Sequence, residues 1–411
     1  MAPALSEDDA QAHVHGVCFK TGPPERVGIE LEWIVHDGVD ARRDVAPQRL
    51  EAALAPLMRG EGAAFASGLT REPGGQVELS SPPATTLAEC AATLREDTAA
   101  LSRVLARHGL VLAGHGLEPF RKHRRVLDHP RYRAMEVYFD RGGSWGRMMM
   151  RGTASVQVNL DAGEDTDGPN GYRARWELVH RIGPVLVAAF ANSPLWRGRS
   201  TGWRSTRQLV WTRMDPGRTR PPEPSWSDPR GAWARYALDA PLLCLRGASS
   251  HCWDAPRGLT FRGWLRGAGD LRPPTLADLD YHLTTLFPPV RPRGWLELRM
   301  IDAQHGDDWM VPAVVAKTLL DHPAAAQAAW EATEPLNPDR DAADLWTRAA
   351  RLGPADPALG KAVRACFAAT ETALADTDAP HELRSAVGAF ARRYAEQGRC
   401  PADDLLERPR R

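Results

Sequence analysis

The chain has 411 residues, 52 Lys and Arg against 52 Asp and Glu, and 43% hydrophobic residues. This composition excludes a disordered chain and a small disulfide-stapled scaffold. A formal net charge of zero excludes the basic field that draws nucleic acid or an anionic membrane, leaving local patches such as Arg121 to Arg125. The length suffices for one large domain or two to three ordinary ones, since single cores stop growing at roughly 250–300 residues.

Residues 5–20 read as an N-terminal helical arm within residues 1–25, broken by Thr21-Gly-Pro-Pro24. The next stretch, Val27-Gly-Ile-Glu-Leu-Glu-Trp-Ile-Val35, alternates as a strand does, so Glu30 and Glu32 share one face opposite Ile29, Leu31 and Trp33. Further along, periodicity predicts helices over 46–57, 86–107, 131–138, 172–191 and 275–286, and strands over 76–80, 110–114, 154–160, 206–212 and 295–301. Residues 216–229 form a Pro/Arg-rich loop, and most of 311–397 is helical. The expected architecture is α+β. A core over 26–310 holds an antiparallel sheet with one face on the interior and one lining a cleft, followed by a helical C-terminal region, 311–411, packed on that core.

The six cysteines (Cys18, Cys90, Cys244, Cys252, Cys366, Cys400) form no CxxC pair, and no secretory leader precedes them, so reduced thiols in a cytoplasmic protein are expected. No apolar run approaches the roughly 18 residues a membrane helix needs. No GxxxxGK[ST], strand-following GxGxxG or HExxH occurs. Neither a nucleic-acid nor a membrane partner is expected, and a monomer is compatible with everything in the chain.

Three distant segments carry carboxylates at similar short spacings, namely Glu30-x-Glu32, Glu72-Pro-Gly-Gly-Gln-Val-Glu78 and Glu297-Leu-Arg299. One such pair alone is an ordinary solvated strand face; three suggest a single acidic cluster. Gly74-Gly75 permits a tight turn that lets Glu72 and Glu78 face one cavity. An oxygen-rich cluster without Cys favours hard cations such as Mg²⁺, which takes one or two carboxylates plus water and phosphate oxygens, and so implies a nucleotide polyphosphate. Arg299, two residues after Glu297, would point a cation at phosphoryl charge, or form a simple surface pair with Glu297. Arg151 and the Gln157-Val-Asn159-Leu-Asp161 run offer polar groups at alternate positions.

These segments resemble the glutamate–cysteine ligases of the plant-like type, most closely the actinobacterial branch that feeds ergothioneine synthesis. The resemblance is carried by Val27 to Trp33, Glu72 to Ser80, Arg131-Tyr-Arg-Ala-Met135, Met150-Arg-Gly-Thr-Ala-Ser-Val-Gln-Val-Asn-Leu-Asp161, Ala191-Asn-Ser-Pro194, Tyr236-Ala-Leu-Asp-Ala-Pro241, His282-Leu-Thr-Thr-Leu-Phe-Pro288 and Trp295-Leu-Glu-Leu-Arg299. It runs from about Val27 to Leu320. It implies an antiparallel cradle of the glutamine synthetase and guanidino kinase type. It also implies ATP-dependent joining of the glutamate γ-carboxylate to the cysteine amine through a γ-glutamyl phosphate, with Mg²⁺ as cofactor. Carried over by position, Glu30, Glu32, Glu72, Glu78 and Glu297 look like metal ligands. Gln157, Asn159 and Arg299 look like nucleotide-binding groups, with Arg299 and Glu297 catalytic. Arg151 and Arg218 look like the glutamate-binding arginines, with Arg204, Arg207 or Arg213 as alternatives to Arg218, and Trp211 as a pocket wall or a core residue. A related ligase with a different amine acceptor and a guanidino phosphotransferase share the same cradle. Glu297→Gln is expected to remove turnover and leave the fold cooperative.

Overall fold

The structure is a computed structural model and describes residues 5–61, 64–122, 124–223, 225–246, 253–336 and 342–407. Nine strands are present among these residues: β1 (Val27–Asp37), β2 (Gly68–Arg71), β3 (Val77–Ser80), β4 (Leu110–Ala113), β5 (Ser155–Asp161), β6 (Leu195–Trp196), β7 (Arg199–Ser200), β8 (Val290–Pro292) and β9 (Trp295–Asp302). Seven of them form one sheet in the order β2-β3-β1-β5-β9-β8, with β4 paired to the far half of β1. Every pair in it is antiparallel. The alternation of β1 appears directly in its burial: Ile29, Leu31 and Trp33 are buried, while Glu30 and Glu32 are only partly covered. Register then carries one polar face across the sheet, since Glu32 lies opposite Glu78, Glu30 opposite Gln157 and Asn159 opposite Glu297.

The apolar face packs on the helices Leu87–Arg107, Tyr172–Ala189 and Met310–Asp321. One buried cluster contains Val14 and Phe19 from the N-terminal segment, Leu31 and Val158 from the sheet, and Leu319, Phe367 and Phe390 from the C-terminal helices. Cys18, Cys90, Cys244, Cys366 and Cys400 are buried free thiols, and Cys252 lies outside the described residues. Among the described residues no helix is long and apolar enough to cross a membrane.

One predicted strand is corrected. Residues 206–212 belong to a helix, Thr206–Met214. Ser205 caps it by accepting from the Gln208 N–H at 3.2 Å, while the Ser205 hydroxyl donates to the Asp302 carboxylate at 3.0 Å. A capped helix start thus wins over local alternation, because its cap is held by a residue 97 positions away. The Pro/Arg-rich loop also opens with a helical turn, Pro216–Thr219, capped by Asp215.

Two buried histidines set an acid limit on the fold. Burial pushes His282 down to about 3, with Arg218 adding to the shift, and pushes His180 down to about 4. Both therefore bind fewer protons folded than unfolded across the interval from their ordinary value of about 6.5 downward. Their stability contribution is complete above that value and is lost as pH falls through it. At pH 5 each costs about 2 kcal/mol. His282→Gln keeps a donor for the Ala237 carbonyl, which His282 meets at 2.8 Å. The stability gap between wild type and this variant should shrink by about 2 kcal/mol from pH 7.5 to 5 in denaturant titrations; a constant gap would show that His282 does not titrate in this window.

Candidate active site

A cavity of about 500 Å³ lies on the polar face of the sheet. Glu30 and Glu32 reach it from β1, Glu78 from β3, Gln157 from β5, and Glu297 and Arg299 from β9. Its other walls are Arg131, Tyr132 and Met135 from the helix Pro130–Asp140, Met149 and Met150 from Trp145–Gly152, and Arg207 and Trp211 from Thr206–Met214. In β9, the three-residue step from Leu298 to Ile301 faces the two-residue step from Val158 to Val156. This extra residue re-aims the strand, so Asp302 comes opposite Ser155 and reaches the start of the helix that carries Arg207.

Glu72 joins the cavity through the turn between β2 and β3. The Gly75 N–H donates to Glu72 O and the Glu72 N–H to Gln76 O, both at 2.9 Å, and Gly75 has φ +85°. A Cβ on Gly74 would overlap the Arg151 carbonyl oxygen. Gly74→Ala should therefore cost about 1–3 kcal/mol as an overpacked contact and reduce turnover by shifting Glu72; a melting curve and activity matching wild type would show that the turn tolerates displacement.

The polar groups form two sets. Glu297 is fully buried and accepts from Arg291 at 2.6 and 3.0 Å, with Arg293 at 3.3 Å and Arg299 at 3.2 Å. Burial pushes its carboxyl up, but Arg291 and then Arg299 overcome this and hold it well below the usual carboxylate range. The other carboxylates accept mainly neutral donors: Glu32 from Ser155 at 2.9 Å and Gln157 at 3.1 Å, Glu30 from Asn159 at 3.1 Å, and Glu78 from Thr70 at 2.9 Å. Burial, then repulsion from Glu297 and Glu78, pushes Glu30 up to about 7, and burial with Glu78 and Glu32 pushes Glu72 up to about 8. Glu32 and Glu78 are raised for the same reasons, burial first. Four crowded carboxylates short of positive charge make a face that a hard divalent cation would stabilise.

Among the described residues no group of three or more His, Cys, Asp or Glu side chains is placed to hold a metal ion by itself. The oxygen-only donor set still suits Mg²⁺, which keeps waters and takes phosphate oxygens in place of a full protein cage.

Gln157 bridges the two sets: it donates to Glu32 and accepts from Arg299 Nη1 at 2.6 Å. Asn159 sits behind the cavity wall, donating to Glu30 and accepting from Trp295 at 2.9 Å. Two expected substrate arginines are not brought to the cavity. Arg151 pairs with Glu136 at 3.0 Å and lines a neighbouring cleft behind Gly74 and Gly75. Arg218 is fully buried, and its guanidinium is committed to Asp215 at 2.7 Å, Thr285 O at 2.8 Å, Tyr138 at 3.2 Å and Pro241 O. It has no donor left for a ligand. Of the alternatives, Arg204 pairs with Asp403 at 2.7 Å and Arg213 is exposed, whereas Arg207 lines the cavity. Arg207 Nη2 donates to Arg299 O at 2.8 Å, and its Nη1 lies 3.8 Å from the Asp302 carboxylate. Trp211 walls the cavity. Sequence reasoning gave no role to Arg131, Arg291 or Arg293; the Arg291-Pro-Arg293 pair just upstream of Glu297 was the available signal.

An antiparallel sheet whose covered polar face sets carboxylates against guanidinium groups defines a protein of the acid-cradle class. Comparison with known proteins narrows this. Residues 26–411 match the glutamate-cysteine ligase family 2 (GCS2). The chain is 41% identical to glutamate–cysteine ligase EgtA of Mycolicibacterium smegmatis over 98% of its own length and 92% of that protein's. It is 35% identical to the chloroplastic glutamate–cysteine ligase of Medicago truncatula over 59% of its length and 47% of the plant protein's. The fold is similar to a glutamate–cysteine ligase from Francisella tularensis solved with AMP, at a TM-score of 0.55 and 13% identity, over 94% of this chain and 85% of that one. The chain belongs to glutamate-cysteine ligase family 2.

Proposed function

We propose that this cavity uses ATP to join the γ-carboxylate of glutamate to the amine of cysteine, giving γ-glutamylcysteine, ADP and phosphate, for ergothioneine synthesis. A γ-carboxylate oxygen attacks the terminal phosphorus and ADP leaves; the amine then attacks the acyl carbon, phosphate leaves, and the amine gives up a proton. The observation that carries this reading is that Arg299 and Arg207 line one cavity with Glu30, Glu32, Glu72 and Glu78, in a chain 41% identical to a mycobacterial glutamate–cysteine ligase.

Glu30, Glu32, Glu72 and Glu78 would hold Mg²⁺, which when bound neutralises polyphosphate charge. Arg299, oriented by Gln157 and Glu297, faces the transferring phosphoryl group. Of the arginines expected to hold glutamate, Arg207 lines the cavity and would meet a carboxylate there as a nearby positive charge, so Arg207 replaces Arg151 and Arg218 as the glutamate-binding arginine. Met149, Met150, Phe287 and Trp211 form the apolar end of the cavity, where water is kept from an acyl phosphate.

The test is ADP release with Mg²⁺, ATP and L-glutamate, adding L-cysteine or other amines in turn, with product masses read by spectrometry. Cysteine-dependent turnover and a γ-glutamylcysteine mass are expected. Turnover with another amine alone would keep the mechanism and replace the acceptor, and no glutamate-dependent turnover would overturn the reading.

A further inference from the structure

Trp295 opens β9 and is 37% exposed. A single exposed tryptophan is ordinary on a protein surface, but this one is fixed to the acidic face of the sheet. Leu296 and Leu298 are buried in the main core, so alternation sends Trp295, Glu297 and Arg299 to the opposite, polar face. The Trp295 indole N–H donates to Asn159 Oδ1 at 2.9 Å, and Asn159 donates to Glu30 at 3.1 Å. The Arg293 guanidinium carbon lies 5.4 Å from the ring centroid, and Arg293 also meets Glu297 at 3.3 Å. The ring is thus tethered to two carboxylates of the acidic cavity, Glu30 through Asn159 and Glu297 through Arg293. Opposite Asn159 in the register stands Gly28, which adds no side chain to this stretch of the polar face.

The place of this ring along the sheet gives it a ligand. β9 carries Trp295, Glu297 and Arg299 in that order, and at roughly 3.3 Å per residue Trp295 and Arg299 stand about 13 Å apart. The amino-acid end of the cavity lies on the other side of Arg299. Arg207 donates to Arg299 O, and Met149 and Met150 precede β5, whose first residue, Ser155, pairs with Asp302 and whose last, Asp161, pairs with Trp295. A nucleoside triphosphate with its terminal phosphorus at Arg299 and glutamate beyond it runs back past Glu297 and Glu30 toward Trp295. An extended nucleoside triphosphate covers that distance, and its far end is a flat base. An indole fixed along one edge and flanked by a guanidinium is a surface on which such a base packs, because stacking uses the π-face that every base possesses. A ring already held in place also lowers the ordering cost of binding.

The geometry points to Trp295 as the seat of the nucleotide base, with Arg293 beside it, at the end of the sheet away from the amino-acid substrates. This assignment rests on the ligase reading, which supplies ATP as phosphoryl donor, and adds to it where the base lies and what holds it.

The test is calorimetric titration of the full chain, in the presence of Mg²⁺, with two probes: a non-hydrolysable ATP analogue, and tripolyphosphate, which lacks base and ribose. Wild type should bind the analogue more tightly than tripolyphosphate. Trp295→Leu keeps apolar bulk but has no planar face, and should weaken the analogue by about tenfold or more while leaving tripolyphosphate unchanged. Trp295→Phe should retain most of the analogue affinity. Both variants lose the bond to Asn159, so their difference isolates the ring. Equal affinity of wild type for the two probes would overturn the seat without any variant. So would wild-type analogue binding in Trp295→Leu, a parallel loss of both probes, or a Trp295→Phe as weak as Trp295→Leu. None of these readouts uses glutamate, cysteine or turnover. Analogue binding that ignores Trp295 removes the seat and leaves the ligase reading standing, whereas Trp295-dependent binding without glutamate-dependent turnover does the reverse.

Discussion

Arg299→Ala is expected to lower kcat by about 10²–10³-fold, the usual cost of removing a preorganised group that meets developing charge, with little change in the KM for glutamate. Arg299 stands on β9 with its side chain 14% exposed, held from opposite sides by Gln157 at 2.6 Å and Glu297 at 3.2 Å. Held this way, the guanidinium does not have to reorganise when phosphoryl charge appears, and the buried setting strengthens its effect. The variant should still fold, because Glu297 retains Arg291 and Arg293. Arg299→Lys should recover only part of the loss: an ammonium keeps the charge and loses the fork that meets two oxygens at once. ADP release under saturating ATP, glutamate and cysteine measures this, and a wild-type kcat in Arg299→Ala would remove Arg299 from the reaction.

The second large effect concerns Glu297: Glu297→Gln is expected to lose stability as well as turnover, with unfolding still cooperative. Its carboxylate is the common partner of three guanidinium groups, and Arg291 is itself 7% exposed. Neutralising the anion leaves buried cations uncompensated, a change that costs about 3–5 kcal/mol in comparable pairs. Glu72→Gln is the informative contrast. Burial and the neighbouring Glu78 and Glu32 already oppose charge there, so its removal should leave melting at or above the wild-type temperature in metal-free protein. Both variants should lose turnover. Melting of metal-free Glu297→Gln at the wild-type temperature would show that the arginine knot contributes nothing to folding, and a fall in Glu72→Gln would show that its charge is not under strain.

These two outcomes would separate what each carboxylate does. Glu297 pairs with Arg291, Arg293 and Arg299; Glu30, Glu32, Glu72 and Glu78 form the face proposed to receive a cation from solution. Composition alone could not divide five glutamates this way, because the division rests on which arginines fold against them.

Legibility in the sequence followed the range of the interaction. Val27 to Val35 declared its strand and its polar face, because side-chain alternation is a property of successive residues, and Gly74-Gly75 declared a turn that sets Glu72 and Glu78 into one cavity. The helix from Thr86 was equally readable: its cap, which accepts from Glu89 N, lies three residues away. Residues 206–212 misled for the opposite reason, since the Ser205 cap is stabilised by Asp302 across 97 positions.

Arginines follow the same division. A guanidinium has five donors and a long, flexible stem, so its role depends on which acceptors the fold brings near. Arg218 meets Thr285 O across 67 positions and becomes structural; Arg151 turns to Glu136, whereas Arg207 reaches Arg299 O across 92 positions and lines the cavity. The sequence by itself determined the acidic strands, their polar face and the turn that joins them, because these are written in spacings of two to six residues. The tertiary structure alone decided the roles of Arg207, Arg218 and Arg299, because their partners Arg299 O, Thr285 O and Gln157 come from 92, 67 and 142 positions away.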